Sequence, residues 1–422
     1  MTEKNEKINR GVLEDELKYP LFCCGSGGKS KLVAVGGGGG KSKTGVANGI
    51  ALYRWCEDGI HVEQVGTYKA DDCVTNVDIH PKKDNIAIIV SQQFLILDFK
   101  KDNTFVLLHQ FDLIPEESNS NDSDNSSSNS SSGKGKNKKN SKQAGEKDGD
   151  ADEKSVATDA AAEQDSAANN NNNNKKKPIK FEQFNLRYSP NGERLITSGA
   201  DGVVRIWDTA NYRLVNEYSH CHIDEINAID TNNANTHMVT SSKDRTCKVW
   251  NLLSGRLEHT LKFEHDGKDL EFRGCRFLTG GLELVTVQFR PNTKKVKGCT
   301  HVTRWSTTTG KKEFTKQIHT MHNTCAELSN DGLSLAVATS DNLVTIVDTV
   351  SFRRLDRWEP HDFVITGLAY SPNNKSVFSA SANYSVKSHQ IGTGAKELDY
   401  KLIFLLALLI LIVSIIYNYL IQ

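Results

Sequence analysis

The chain has 422 residues, and its 52 lysines and arginines are matched by 52 aspartates and glutamates, so the formal net charge is zero. That balance excludes the overall basic field that draws a protein to nucleic acid and the overall acidic one that draws it to basic partners. Nine cysteines are scattered without a CxxC pair, which gives no zinc framework and fits ordinary usage in a reducing compartment.

In chain order, residues 1–18 read as a charged N-terminal tail with no apolar run, so no signal peptide is expected. A short strand near Tyr19–Cys24 follows. Next come alternating apolar segments: KLVAVGGGGG, GIALYRW and HVEQVGTY over Leu32–Tyr68, then VTNVDIH, NIAIIV, FLILDF and FVLLHQF over Val74–Phe111. From about 115 to 177 the composition changes to Ser, Asn, Lys, Asp and Gly, with almost no aliphatic and no aromatic side chain. Such a stretch buries too little apolar surface to offset its ordering entropy and is read as a disordered, spacer-like insertion.

Beyond it, Phe184–Tyr218 runs as a strand, a Ser-Pro-Asn-Gly turn, a strand ending LITSG, an Ala-Asp-Gly turn, VVRIWD and RLVNEY. The same order recurs in Ile226–Leu261 and more faintly in Cys325–Trp358 and Ile365–Ile391, and Phe272–Ile318 counts as a weaker unit beside Leu32–Tyr68 and Val74–Phe111. Units of about forty residues with four short strands are the pattern of propeller blades. IWD at 206–208 and VWN at 249–251 resemble the WD40 repeat, with Asp201 and Asp244 placed to hold turns through side-chain to backbone bonds. The predicted fold class is therefore all-β: a seven-bladed WD40-like β-propeller over 19–399, interrupted by the insertion. The last unit lacks an outer strand, and the segment near Tyr19–Cys24 is expected to supply it and close the ring. His80, His222, His322 and His361 fall at blade junctions and are read as structural partners, not ligands.

The chain finishes with LIFLLALLILIVSIIYNYLIQ, in which Ser414, Tyr417 and Asn418 are among the few polar side chains. About 20 such residues at helical rise match the roughly 30 Å hydrocarbon core of a bilayer. Residues 402–421 are thus expected to be a single transmembrane helix. Lys387, Lys396 and Lys401 precede it, which keeps the propeller in the cytosol.

The unusual segment is Gly36–Gly49, GGGGGKSKTGVANG, read as a fourteen-residue excursion between two strands of the first blade. A phosphate loop is refused by spacing, because GxxxxGK[ST] would need glycine at Val35 or, for the Gly28-Lys29-Ser30 candidate, at Cys23. No nucleotide is expected to bind this chain itself. Tyr19-Pro20-Leu21-Phe22, the run VAVGGGGGKSKTGVANGIALYRW, the WD-like ring and the terminal apolar segment together resemble one family. That family is the endoplasmic-reticulum guanine-nucleotide exchange factors for the Sar-type small GTPase, which start COPII coat assembly (the prolactin regulatory element-binding protein family).

The resemblance implies an exchange factor without bond-making chemistry, working in ER-to-Golgi transport from the endoplasmic-reticulum membrane. Its partners would be the GTPase, the membrane, and COPII coat or ER-exit-site proteins. It implies a potassium ion held by backbone groups of Gly37, Gly38, Gly39, Gly40, Lys41 and Ser42. It also implies contact with the GTPase through Lys43, Thr44, Gly45, Val46, Ala47 and Asn48, with Val46 as an apolar wedge and Asn48 as the polar group of the exchange loop. Ala47 departs from members that carry a charged residue there. The alternative reading is a membrane-anchored WD-repeat scaffold without exchange activity. DNA binding is not expected, since no basic recognition helix, zinc spacing or net positive charge supports it.

Overall fold

In this computed structural model the described residues are 11–41, 45–58, 61–112, 183–293 and 296–392. The predicted insertion, the predicted transmembrane segment at 402–421, and Ser42, Lys43 and Thr44 lie outside them. Among the described residues no helix is long and apolar enough to cross a membrane.

The described chain forms seven four-stranded antiparallel sheets and one two-stranded ribbon, Glu264–His265 with Lys268–Asp269. This is the all-β, seven-bladed propeller read from the repeats. Blade 1 comprises Leu21–Gly27, Leu32–Gly38, Asn48–Trp55 and Val62–Lys69, and blade 2 spans 74–112. Blades 3 to 6 span 183–218, 226–261, 271–319 and 323–358, and the first three strands of blade 7 span 365–390.

The middle strands read as nearly continuous apolar runs because neighbouring blades cover both of their faces. Ile86–Val90 and Leu195–Gly199 are buried without a break, whereas the outer strand Leu214–Tyr218 is exposed along most of its length. Seven clusters of buried side chains fill the seven junctions. Leu32, Ile50 and Leu52 meet Val77, Ile86 and Ile88 between blades 1 and 2. Phe94 meets Trp207 between blades 2 and 3, with ring centroids 4.9 Å apart. The ring closes where Tyr53 and Trp55 pack on Phe378 and Ala380 between blades 1 and 7.

The closing strand differs from the sequence expectation. Gly11–Glu16, expected to be tail, is the outer strand of blade 7, with Gly11 opposite His389 and Glu16 opposite Ser385. Leu17 N–H donates to Tyr384 O at 2.8 Å, and the Tyr53 hydroxyl donates to Asp15 Oδ2 at 2.9 Å. The segment near Tyr19–Cys24, which the sequence suggested for closure, instead runs into Leu21–Gly27, the inner strand of blade 1. Its alternation buries Leu21, Cys23 and Gly25.

The repeat's polar signatures act as struts. His222 Nδ1 lies 2.8 Å from Asp244 Oδ2, and its Nε2 lies 2.8 Å from Thr240 Oγ1, which also accepts from Trp250 Nε1 at 3.1 Å. Asp244 Oδ1 accepts the Thr246 N–H at 2.9 Å, and Asp201 Oδ1 accepts that of Val203 at 3.2 Å. His80 accepts the N–H groups of Lys82 and Lys83, His361 bridges Ser385 and Ser379, and His322 packs on Phe289. All four junction histidines make contacts within the fold.

The two faces of the ring are distinct. One, the turn face, carries the links from first to second and from third to fourth strands. Adjacent turns touch all the way around it. Gly28 N–H donates to His80 O, and Gly192 abuts the His80 ring. Asn235 reaches Asn191, and Gly281 abuts Asn232. Thr279 reaches Asp331 O, Asn330 reaches Asn374, and Asn373 reaches Asp58 O. The opposite loop face carries the second-to-third-strand links and the crossovers between blades. The glycine-rich segment lies on this loop face.

Candidate functional site

The glycine-rich segment is shorter than the sequence suggested. Gly36, Gly37 and Gly38 are the end of a strand, pairing with Ile50, Gly49 and Asn48, so the link between the strands is 39–47. The first glycines are there for packing. A Cβ on Gly37 would stand 1.9 Å from Pro20 O, and one on Gly36 would stand 2.7 Å from Val74 Cγ1. Fourteen residues of loop thus reduce to nine, because a ladder needs no side chain at these positions and tolerates none.

Asn48 closes the link. Its Oδ1 accepts the Gly40 N–H at 2.9 Å, and its Nδ2 donates to Gly40 O at 3.2 Å. Its own carbonyl accepts the Ala70 N–H at 3.0 Å, tying the clasp to the crossover into blade 2. Gly40 has φ 76°, a conformation that favours glycine. The Asn48 amide occupies the space where a Gly38 side chain would lie, since a Cβ there would be 2.1 Å from Oδ1.

Val46 is half-buried and packs against the cluster of Tyr19, Leu21 and Val35 at the junction of blades 7 and 1. Gly45 and Ala47 on either side of it are exposed. Val46 and Asn48 are therefore brought to the base of one link, the first through packing and the second through hydrogen bonds. Of the other expected contact residues, Lys43 and Thr44 lie outside the described set, as does Ser42 of the ion-binding stretch.

Asp72 was not singled out from the sequence. It sits on the crossover following blade 1, where its Oδ1 accepts the Cys73 N–H at 2.8 Å and its Oδ2 lies 3.8 Å from Lys41 Nζ. Its side chain is only 15% exposed, while that of Lys41 is open to solvent. Burial, with this carboxylate beside it, pushes the Cys73 thiol up to about 11. The one available sequence signal was the Asp71-Asp72 pair at the end of the outer strand, which gains meaning only once the crossover is known to lie against the glycine link. Among the described residues, no three His, Cys, Asp or Glu groups converge as a metal cluster. The Asp72 carboxylate does come up against the glycine link, since a Cβ on Gly40 would stand 3.7 Å from its Oδ1.

The centre of the ring holds a cavity of about 520 Å³ lined by inner strands. Glu327 accepts from Arg187 Nη2 at 3.0 Å and from Arg276 Nη2 at 2.9 Å, and Arg187 Nε lies 3.2 Å from Asp230 Oδ1. Burial drives the Glu327 carboxyl up, but the two guanidiniums outweigh it and hold it down at about 2. The network joins blades 3, 4, 5 and 6 across the axis.

Three stretches, 184–208, 213–251 and 352–389, match the WD domain, G-beta repeat family. The sheets define a seven-bladed β-propeller, and these three stretches of it are similar to WD repeats. Among curated relatives, echinoderm microtubule-associated protein-like 4 of Homo sapiens is 28% identical over 42% of this chain and 17% of its own length. The guanine nucleotide-exchange factor SEC12 of Mus musculus is 27% identical over 42% of this chain and 44% of its own. Eukaryotic translation initiation factor 3 subunit I of Pyricularia oryzae is 30% identical over 22% of this chain and 28% of its own. The chain thus spans less than half the length of each of these relatives.

Proposed function

We propose that this protein is a guanine-nucleotide exchange factor for a Sar-type small GTPase. It acts at the endoplasmic-reticulum membrane, with its propeller in the cytosol, to start COPII coat assembly. The observation that carries the reading is the clasped glycine link, in which the exposed residues Gly45 and Ala47 alternate with two anchored ones, Val46 and Asn48. The similarity to a relative named as a guanine nucleotide-exchange factor supports it.

An exchange factor works by linkage: it binds the nucleotide-free GTPase more tightly than the loaded form, so nucleotide affinity falls by the same factor. A link that keeps its shape without a partner contributes to this, because no binding energy is spent on ordering it. In this account Asn48 holds the link and Val46 seats it, while Lys43, Thr44, Gly45 and Ala47 meet the GTPase. A potassium ion would be held by backbone oxygens of Gly37–Ser42 with the Asp72 carboxylate, supplying a fixed charge that stiffens the link.

The scaffold reading is favoured by one observation, that the Asn48 amide is already bonded to Gly40 and so turned toward its own chain. The two readings are separated by the affinity of the purified full-length protein for nucleotide-free and GDP-loaded GTPase, measured on a sensor surface. Exchange requires the nucleotide-free form to bind more tightly. Equal affinity leaves the scaffold.

A further inference from the structure

The turn face of the ring carries an apolar arc. Leu253 on blade 4, Leu282 on blade 5, and Leu333 and Val350 on blade 6 are exposed, from 61% at Leu333 to 81% at Leu253. They follow one another around the ring. Thr307 of blade 5 donates its N–H to Leu282 O, Thr349 of blade 6 donates to Leu333 O, and Arg304 of blade 5 donates to Val350 O. Around the rest of the face, in blades 1 and 2, stand the exposed lysines Lys29, Lys82, Lys83 and Lys101. None of these four has an ion pair among the described residues, whereas Lys31 is paired with Glu57 and Lys100 with Asp98.

The chain leaves the propeller on this same face. The third strand of blade 7 ends at Gln390, Ile391 N–H donates to Lys375 O on the neighbouring turn, and Gly392 N–H donates to Asp356 Oδ2. Only residues 393–401 then separate Gly392 from the twenty-residue apolar run beginning at Leu402. Nine residues span at most about 30 Å even when fully extended.

From the exit point, the short connection, the apolar arc and the lysines, we infer that the turn face docks on the bilayer surface, with the leucine arc in the headgroup boundary and the lysines against anionic headgroups. Exposed leucines and valine on a surface held this close to lipid gain by burial in the interfacial layer. Each lysine near the surface adds attraction to phosphatidylserine or phosphatidylinositol. The docked orientation points the glycine link, on the loop face, away from the membrane and toward the cytosol. The inference rests on the reading of 402–421 as a membrane anchor.

Two tryptophan variants of the full-length protein test it. Leu253→Trp lies on the turn face, and Ile223→Trp lies on the loop face, where Ile223 is 96% exposed. Each is reconstituted into phosphatidylcholine vesicles containing phosphatidylserine and bromine-labelled lipid, with the wild type giving the native tryptophan background. Quenching above that background is expected for L253W and not for I223W, and Lys82→Glu with Lys83→Glu should remove the part that depends on phosphatidylserine. Equal quenching of both variants, or of neither in vesicles that carry the protein on flotation, overturns the docking while leaving the anchor intact. Failure of the chain to float with vesicles overturns the anchor reading itself. An emission shift of L253W that follows protein density in micelles, without lipid quenching, assigns the face to a second copy and overturns the bilayer as its occupant.

Discussion

Asn48 shows how a residue's role changes once its partners are known. As a polar group in an exchange loop it is expected to face the GTPase, but its amide is fixed on Gly40 by two hydrogen bonds. Asn48→Ala should therefore act by unclasping the link. The expected outcome is exchange slowed by about tenfold or more, which corresponds to ~1.4 kcal/mol in the transition state. It should lose only about 1 kcal/mol of global stability, the usual worth of such bonds. Stopped-flow exchange and a urea melt read the two effects, and full exchange in the variant would remove Asn48 from the account. Glu327 is the opposite case, a residue of the fold with no part in the link. Glu327→Gln leaves two partly buried guanidiniums without their shared carboxylate and should cost about 1–3 kcal/mol, with a matching fall in the denaturation midpoint. A loss below about 1 kcal/mol would show that the central network carries little stability. The sequence pointed to the turn aspartates Asp201 and Asp244, because their partners lie within a few residues. It could not point to Glu327, whose partners come from other blades, or to Asp72, which meets Lys41 of the glycine link from a crossover.

At the scale of strands and links, periodicity revealed the blades wherever four strands followed one another in the chain. It failed at the ring's closure, where the outer strand of blade 7 comes from the other end of the sequence. Gly11–Glu16 reads GVLEDE, with its last three residues all acidic, and an outer strand needs little apolar patterning because one edge faces solvent. The glycine run misled for a related reason, since Gly36–Gly38 looks like loop but is ladder held close to Pro20 and Val74. A variant lacking residues 1–16 should expose the edge of Ser385–Gln390 and open the junction with blade 1. Its melting temperature should fall by several degrees, and it should self-associate through the unpaired edge. An unchanged melt and a monodisperse variant would show that the ring closes through its side chains alone.

The molecule as a whole is a ring of seven junctions, so groups buried at those junctions set its response to pH. Burial holds the imidazoles neutral: His361 is lowered to about 3, His301 to about 4, and His222 is lowered as well despite its bond to Asp244. Below the ordinary histidine value of about 6.5 the unfolded chain takes up protons that the folded one refuses, so stability falls as pH drops from about 6.5 toward 4. Asp78 works the other way. Burial raises it to about 6, so the folded chain holds a proton there that the unfolded one releases, and part of the loss is offset over the same window. Three histidines against one aspartate leave a net decline, which denaturant midpoints taken between pH 7 and pH 4 should show. A flat or rising stability on acidification would contradict the neutral state of these rings.

At this scale the seven-bladed architecture was legible from repeats, whereas the proposal for what the propeller acts on rests on the glycine link and its resemblance to a family. The central claim is that this link accelerates nucleotide release. It is tested most directly by following labelled GDP leave a Sar-type GTPase after mixing with the full-length protein, beside the Asn48→Ala variant. The account predicts release that quickens in proportion to the wild-type concentration and stays near the intrinsic rate with the variant. Release at the intrinsic rate in both, with the wild type nonetheless bound to the GTPase, would contradict it and leave a scaffold.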